Sequence, residues 1–101
     1  MALHFEWDEN KNLANQSKHG LSFEEAAQAF HDPFLFTVQD RIVNSEYRWQ
    51  AYGVVHGILL VMVAHTIREA EAQGKTIEIV RIISARRATP RERQRYEDEN
   101  S

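Results

Sequence analysis

The stretch YRWQAYGVVHGILLVMVAHT, Tyr47 to Thr66, decides the fold. Tyr47 to Val55 reads as a strand rich in aromatic and β-branched residues, with Tyr47 and Trp49 on one face and Tyr52 on the other. His56-Gly57 supplies a tight turn, and Ile58 to Thr66 returns as the second arm of a hairpin. That arm is apolar on both faces, which marks a strand central in its sheet.

Outward from this hairpin the punctuation is clear in both directions. Toward the C-terminus, Arg68 to Lys75 (REAEAQGK) reads as a loop too polar for a core, and Thr76 to Ser84 as another central strand. Arg81 interrupts its Ile77-Ile79-Ile83 face. A charge on a central strand is costly unless it is paired or lines a cleft, so Arg81 carries more information than the arginines around it. Thr89 as N-cap, Pro90 at the first helical position and Glu92 two residues on begin a last helix with a capping box. It has no apolar stripe, and Tyr96 is its docking side chain.

Toward the N-terminus, Gln39 to Glu46 reads as a polar loop and Phe34 to Val38 as a strand. Ser22 and Glu25 form a capping box for a helix whose Phe23, Ala26, Ala27 and Phe30 share one apolar face. Asp32-Pro33 stops it. Before it, Asp8 caps a mostly polar helix from Glu9 to Lys18, with Leu13 and Ala14 as a small apolar stripe and Gly20 as the left-handed terminator. Leu3 to Trp7 alternates as a short half-buried strand. The order β-α-α-β-β-β-β-α predicts an α+β fold, a mostly antiparallel sheet with helices packed on one side.

A chain of 101 residues is one domain, residues 1–101, able to bury a core without a disulfide or metal staple. It has no cysteine, which removes thiol catalysis and every Cys-based zinc site. The N-terminal residues show neither a basic n-region nor an apolar h-region, and the longest apolar run, Ile58 to Ala64, is too short to span a bilayer. A soluble, cytoplasmic protein without membrane contact is expected. His4, His19, His31, His56 and His65 include no H-x-x-x-H pair, so no metal is expected, and without phosphate-loop, dinucleotide or nucleophile-elbow motifs no cofactor either.

Charge is the strongest functional signal. Residues 81 to 96 hold six of the twelve basic residues and one acid, a net +5 inside a chain of net −3. Such polarity suits a polyanion or an acidic partner, and the planar guanidinium suits phosphate. Arg87, Arg91 and Arg95 are candidate RNA-binding residues; the plainer reading is a solvated helix pairing its arginines with Glu92, Glu97 and Glu99. Metal-free RNA cleavage uses the substrate's own 2′-hydroxyl, so the protein must move two protons and stabilise phosphate charge. Arg81 and Arg86 are candidates for the last task, and Lys18-His19 at a helix end offer a cation and an imidazole. Tyr96 could stack on a base or relay a proton, or serve only as a packing anchor.

FEWDENKN at 5–12, KHGLSFEEA at 18–26, the F-x-D-P element ending at Pro33, the LLVMV strand and RIISARRATPRERQRYE at 81–97 together resemble the BrnT toxins of bacterial type II toxin–antitoxin systems. The resemblance implies a RelE-like fold and a ribonuclease that arrests growth by cutting RNA during translation. It also implies a BrnA-type antitoxin that neutralises it, with operator DNA bound only through the toxin–antitoxin complex. The family's basic residues fall on Lys18, Arg68, Arg81 and Arg86, with His19 and Tyr96 as neighbours. The segment REAEAQGKT is longer than the family's usual turn, which would set Arg68 on a loop. The alternative is a non-catalytic binding module whose basic face holds an acidic partner or nucleic acid. No helix-turn-helix supports direct operator binding, because Glu24 and Glu25 would meet phosphate with the wrong sign.

Overall fold

The computed structural model describes residues 3–101. In chain order it comprises β1 (Leu3–Glu6), α1 (Glu9–His19) and α2 (Phe23–Ala27), the last continued by a 3-10 turn (Gln28–His31). Then follow β2 (Phe36–Val43), β3 (Glu46–Val55), β4 (Leu59–Ala72), β5 (Lys75–Arg87) and α3 (Pro90–Glu99). The five strands form one sheet in the order β1-β5-β4-β3-β2. β1 runs parallel to β5, and the other neighbours are antiparallel. β4, the apolar arm of the central hairpin, occupies the middle of the sheet, where Leu60 to Thr66 are largely buried on both faces.

Two segments expected to be loops are the ends of long hairpins. Gln39–Glu46 is not a loop: β2 continues to Val43 and turns back through Asn44 and Ser45, both at positive φ. Arg68–Lys75 is likewise strand, turning only at Gln73 and Gly74. Both connections are two-residue turns whose left-handed geometry matches the twist of the flanking strands. They read as loops because these ribbon tips extend past the helices. Solvent reaches both faces there, and burial no longer selects apolar residues. In β2 a bulge between Gln39 and Ile42 also breaks the alternation.

The core lies between α2 and the sheet. Leu21, Phe23, Ala26 and Ala29 pack on Ala51, Val55, Val61, Val63, Val80, Ile82 and Ala85. Small residues allow a close approach: a Cβ at Gly53 would stand 2.4 Å from the Ala29 carbonyl oxygen. The capping box of α2 is present, with Ser22 Oγ accepting from Glu25 N at 3.0 Å and Glu25 Oε1 accepting from Ser22 N at 2.9 Å.

Helix α1 departs from the expected apolar docking. Leu13 is exposed, while Asn12 and Asn15 are the buried residues. Asn12 Oδ1 accepts from Phe23 N at 2.8 Å. The Asn15 amide donates to Leu21 O (2.8 Å) and Ala85 O (2.9 Å) and accepts from Ala85 N (3.1 Å). β1 has ended by Glu6, so the edge of β5 beyond it would be bare. The Asn15 amide takes the place of a neighbouring strand at that edge, satisfying one donor and one acceptor.

The helices are not all on one side, contrary to the sequence expectation. Ala51, Val63 and Ala85 stand in register on the face covered by α2. Phe36, Tyr52, Met62 and Arg86 stand in register on the opposite face. α3 contacts that second face: the Tyr52 hydroxyl lies 3.2 Å from Glu92 Oε2, and the Arg95 guanidinium lies 5.0 Å above the Phe36 ring centroid. With one apolar face already used by α2, the hydrogen bonds and ring contact that hold α3 on the second face are polar and aromatic, which suits its lack of an apolar stripe.

Candidate functional site

Strand register collects arginines on the face that α2 leaves open. Arg81 stands between Thr66 of β4 and Glu6 of β1. Arg68 shares the face of Thr66 and lies across from Ile79, whose other neighbour is His4. Arg86 lies across from Met62 and, beyond it, Tyr52. Arg48 alternates with Trp49 and so joins Gln50 and Tyr52 on the same face. Arg81 and Arg86 are an odd number of residues apart and would point oppositely in a regular strand. The bulge in β5 opposite the Ala64–His65 step, where Ile83 has no partner, returns them to one face.

Two of these arginines are held by carboxylates. The Arg68 guanidinium donates to both oxygens of Glu6, each at 3.0 Å. That bond, together with the nearby Arg81 charge, holds the Glu6 carboxyl below its ordinary range. The Arg86 guanidinium donates to Glu92 Oε1 at 2.8 Å and Oε2 at 3.1 Å, and also to Arg87 O at 3.1 Å. Glu92 Oε1 accepts from Thr89 N as well, closing the α3 capping box. Chiefly through the Arg86 bonds, the Glu92 carboxyl is pushed down to about 2. The Tyr52 hydroxyl donates to Gln50 Oε1 at 2.7 Å, and burial, then the Glu92 charge, pushes it up to about 12.

Among the described residues, the other two arginines keep donors without a side-chain partner. Arg81 is exposed and lines an open polar cleft of about 420 Å³ with Glu6, Trp7 and Asp8. This explains a charge on an inner strand: it points into a cleft. The Arg48 Nε is buried with no hydrogen-bond partner among the described residues. An orphaned guanidinium donor beside an open polar face calls for an acceptor.

The remaining candidates are spread more widely. Lys18 and His19 end α1, beyond the Asn15 contact with the β5 edge, Lys18 exposed and His19 half-buried. Arg87 pairs with Val61 and points to the opposite face from Arg86. Arg91 is exposed on α3, and Arg95 covers Phe36. The Tyr96 hydroxyl donates to Asp32 Oδ2 at 2.6 Å, and that oxygen also accepts from Val54 N. Burial and the Asp32 charge push this hydroxyl up to about 12. Tyr96 thus fastens α3 to the end of the 3-10 turn. Among the described residues no group of three or more His, Cys, Asp or Glu side chains could hold a metal ion, and no helix is long and apolar enough to cross a membrane.

A family model described as the ribonuclease toxin BrnT of type II toxin–antitoxin systems matches residues 7–92. The chain belongs to the BrnT family. In fold it is similar to the crystal structure of the Brucella abortus ribonuclease toxin BrnT, at 22% identity and a TM-score of 0.55, over 88% of this chain and 99% of that one. No curated protein sequence matches it. As a BrnT-family chain it is grouped with ribonuclease toxins, and membership in a type II system implies an antitoxin partner.

The candidates legible in the sequence of this BrnT chain do not include Arg48, Gln50 and Tyr52. These three lie outside the arginine-rich run, and the available signal was the period-two alternation of β3, which sets all three on one face. Glu6 is not among the candidates either, because its partner Arg68 was expected on a loop.

The Arg86–Glu92 pair makes the α3 attachment sensitive to acid. The fold lowers the Glu92 pKa from 4.5 to about 2, so the benefit is fully present above pH 4.5. It is lost as pH falls through that window toward 2. About 1–3 kcal/mol is expected to disappear on acidification, after allowance for partial exposure. Unfolding followed from pH 6 to pH 2 should show this loss, and Glu92→Gln should flatten it. An unchanged acid profile in Glu92→Gln would show that the pair does not anchor α3.

Proposed function

We propose that the protein is an endoribonuclease toxin that cleaves RNA without a metal, using the arginine face of the sheet. The observation that carries this reading is the gathering of Arg48, Arg68, Arg81 and Arg86 on one face, two of them oriented by carboxylates and two with donors to spare. Planar guanidinium groups fixed by Glu6 and Glu92 are suited to the non-bridging oxygens of a phosphodiester.

In the reaction the RNA 2′-oxygen attacks the adjacent phosphorus and the bond to the 5′-oxygen breaks. A 2′,3′-cyclic phosphate and a 5′-hydroxyl result. Arg81 and Arg86 stabilise charge on the phosphate, and Arg68 and Arg48 extend the cradle to its neighbours. The 2′-hydroxyl proton must be accepted and the 5′-oxygen protonated. Glu92 is a weak base, because Arg86 stabilises its ionised form. Tyr96 acts by positioning α3, its proton being committed to Asp32. His4 stands on the arginine face in register with Ile79 and Arg68, and imidazole is the side chain best suited to carrying these protons. Lys18, beside His19 at the end of α1, and Arg91 and Arg95 on α3 add positive charge beyond this face.

The same reading makes the fold RelE-like, the partner a BrnA-type antitoxin, and the cytoplasm the place of action. Purified protein incubated with RNA in excess chelator should yield fragments ending in 2′,3′-cyclic or 3′-phosphate. RNA that is bound in a salt-dependent way yet stays intact would establish the non-catalytic binding module instead.

A further inference from the structure

The opposite face of the sheet carries a second surface, and it is apolar. Beyond the 3-10 turn, Leu3, Phe30, Leu35, Trp49, Ile67 and Val80 line a groove of about 260 Å³, floored by the buried His65. Tyr47 and Ile67 continue the Trp49–His65 register outward, and Ile42 pairs with Tyr47, so the apolar surface runs on across β2, β3 and β4. Leu3 (36%), Ile42 (56%), Tyr47 (54%) and Ile67 (42%) are exposed, and all four share this face. Scattered single apolar residues need no explanation, but a contiguous set on one face marks an interaction site.

The rim of the groove supplies the charge. Glu69 and Glu71 follow Ile67 on the same face of β4, and Glu69 lies directly opposite Glu78 of β5. Like charges directly opposite on neighbouring strands are destabilising, and here no Lys or Arg salt bridge relieves them among the described residues. An arriving cation would relieve that repulsion. The two faces therefore differ in kind: Arg48, Arg68, Arg81 and Arg86 on one, an apolar strip ending in carboxylates on the other.

We propose that this groove is where the antitoxin docks, through a segment that buries apolar side chains between Trp49, Ile67 and Leu3 and sets a lysine or arginine against Glu69 and Glu78. The assignment rests on the toxin reading and deepens it. It places antitoxin recognition on the helix side of the sheet, away from the arginine face. An apolar anchor surrounded by a charged rim is the usual anatomy of such an interface.

The test measures binding of the protein to its type II antitoxin, alongside RNA cleavage by the free toxin. Ile67→Glu and Tyr47→Glu, both at exposed positions, should weaken binding about 30-fold or more and leave cleavage unchanged. Glu69→Lys with Glu78→Lys should weaken it about tenfold. Arg81→Ala with Arg86→Ala should bind within about threefold of wild type. Groove variants that bind like wild type, or arginine variants that lose binding, would overturn the docking site while leaving the ribonuclease reading intact. A wild-type protein that neither cuts RNA nor binds the antitoxin would overturn the toxin reading itself. If the protein alone is a dimer that Ile67→Glu dissociates, the groove belongs to a second copy and the proposal is wrong.

Discussion

Replacing Arg81 and Arg86 together with alanine is expected to lower RNA cleavage by about 10²–10³-fold, the scale on which removing preorganised donors to a developing oxyanion acts. Each single change should account for much of that loss, because groups that hold one phosphate act as a unit and their effects do not multiply. The two positions differ in what else they do. Arg81 projects into an open cleft, so Arg81→Ala should leave folding unaffected. Arg86→Ala also leaves Glu92 without its guanidinium partner, and about 1–2 kcal/mol of stability should go with it. Rates measured well below the melting transition separate the two effects. Arg86→Lys keeps a positive charge but loses the two-pronged hold on Glu92, and should recover only part of the rate. A double variant that cuts RNA at the wild-type rate would remove the arginine face from the reaction.

Asn15→Ala is expected to be the most damaging substitution in the helical layer, at about 2–4 kcal/mol in urea unfolding. The side chain is small and polar, and by volume alone its loss should matter little. Its amide, however, satisfies the buried Ala85 N–H, the Ala85 carbonyl and the Leu21 carbonyl. Alanine would leave these backbone groups without partners where water has no easy access. Asn15→Asp should rescue little, since a carboxylate accepts from Ala85 N but repels both carbonyl oxygens. Leu13→Ala, two residues away on the exposed side, should cost under about 0.5 kcal/mol. The reverse ranking, with Leu13 dominant, would mean that α1 is held by apolar packing as the hydrophobic pattern suggests.

Much of this architecture is local and was legible from residue order. Asp8, Ser22 with Glu25, and Thr89 with Glu92 cap the helices they were expected to cap, because a cap is decided within four residues. The apolar arm after His56-Gly57 is the middle strand, because only a strand covered on both faces needs that composition. The family could be recognised from KHGLSFEEA and RIISARRA for the same reason: these are short contiguous runs.

What tertiary structure decided is which groups meet and on which side. The ribbon tips of β2–β3 and β4–β5 looked like loops because solvent, not a core, sets their composition. Helix α1 docks through asparagines because the β5 edge needs hydrogen bonds where β1 stops short. α3 crosses to the second face because α2 already covers the first. The arginine face depends on one unpaired residue, Ile83. Without that bulge Arg81 and Arg86 would point to opposite sides of the sheet, and Arg87 would take the place of Arg86. A strand's sequence sets the alternation of its side chains, but the count across a bulge is settled by cross-strand pairing, and pairing exists only in the folded sheet.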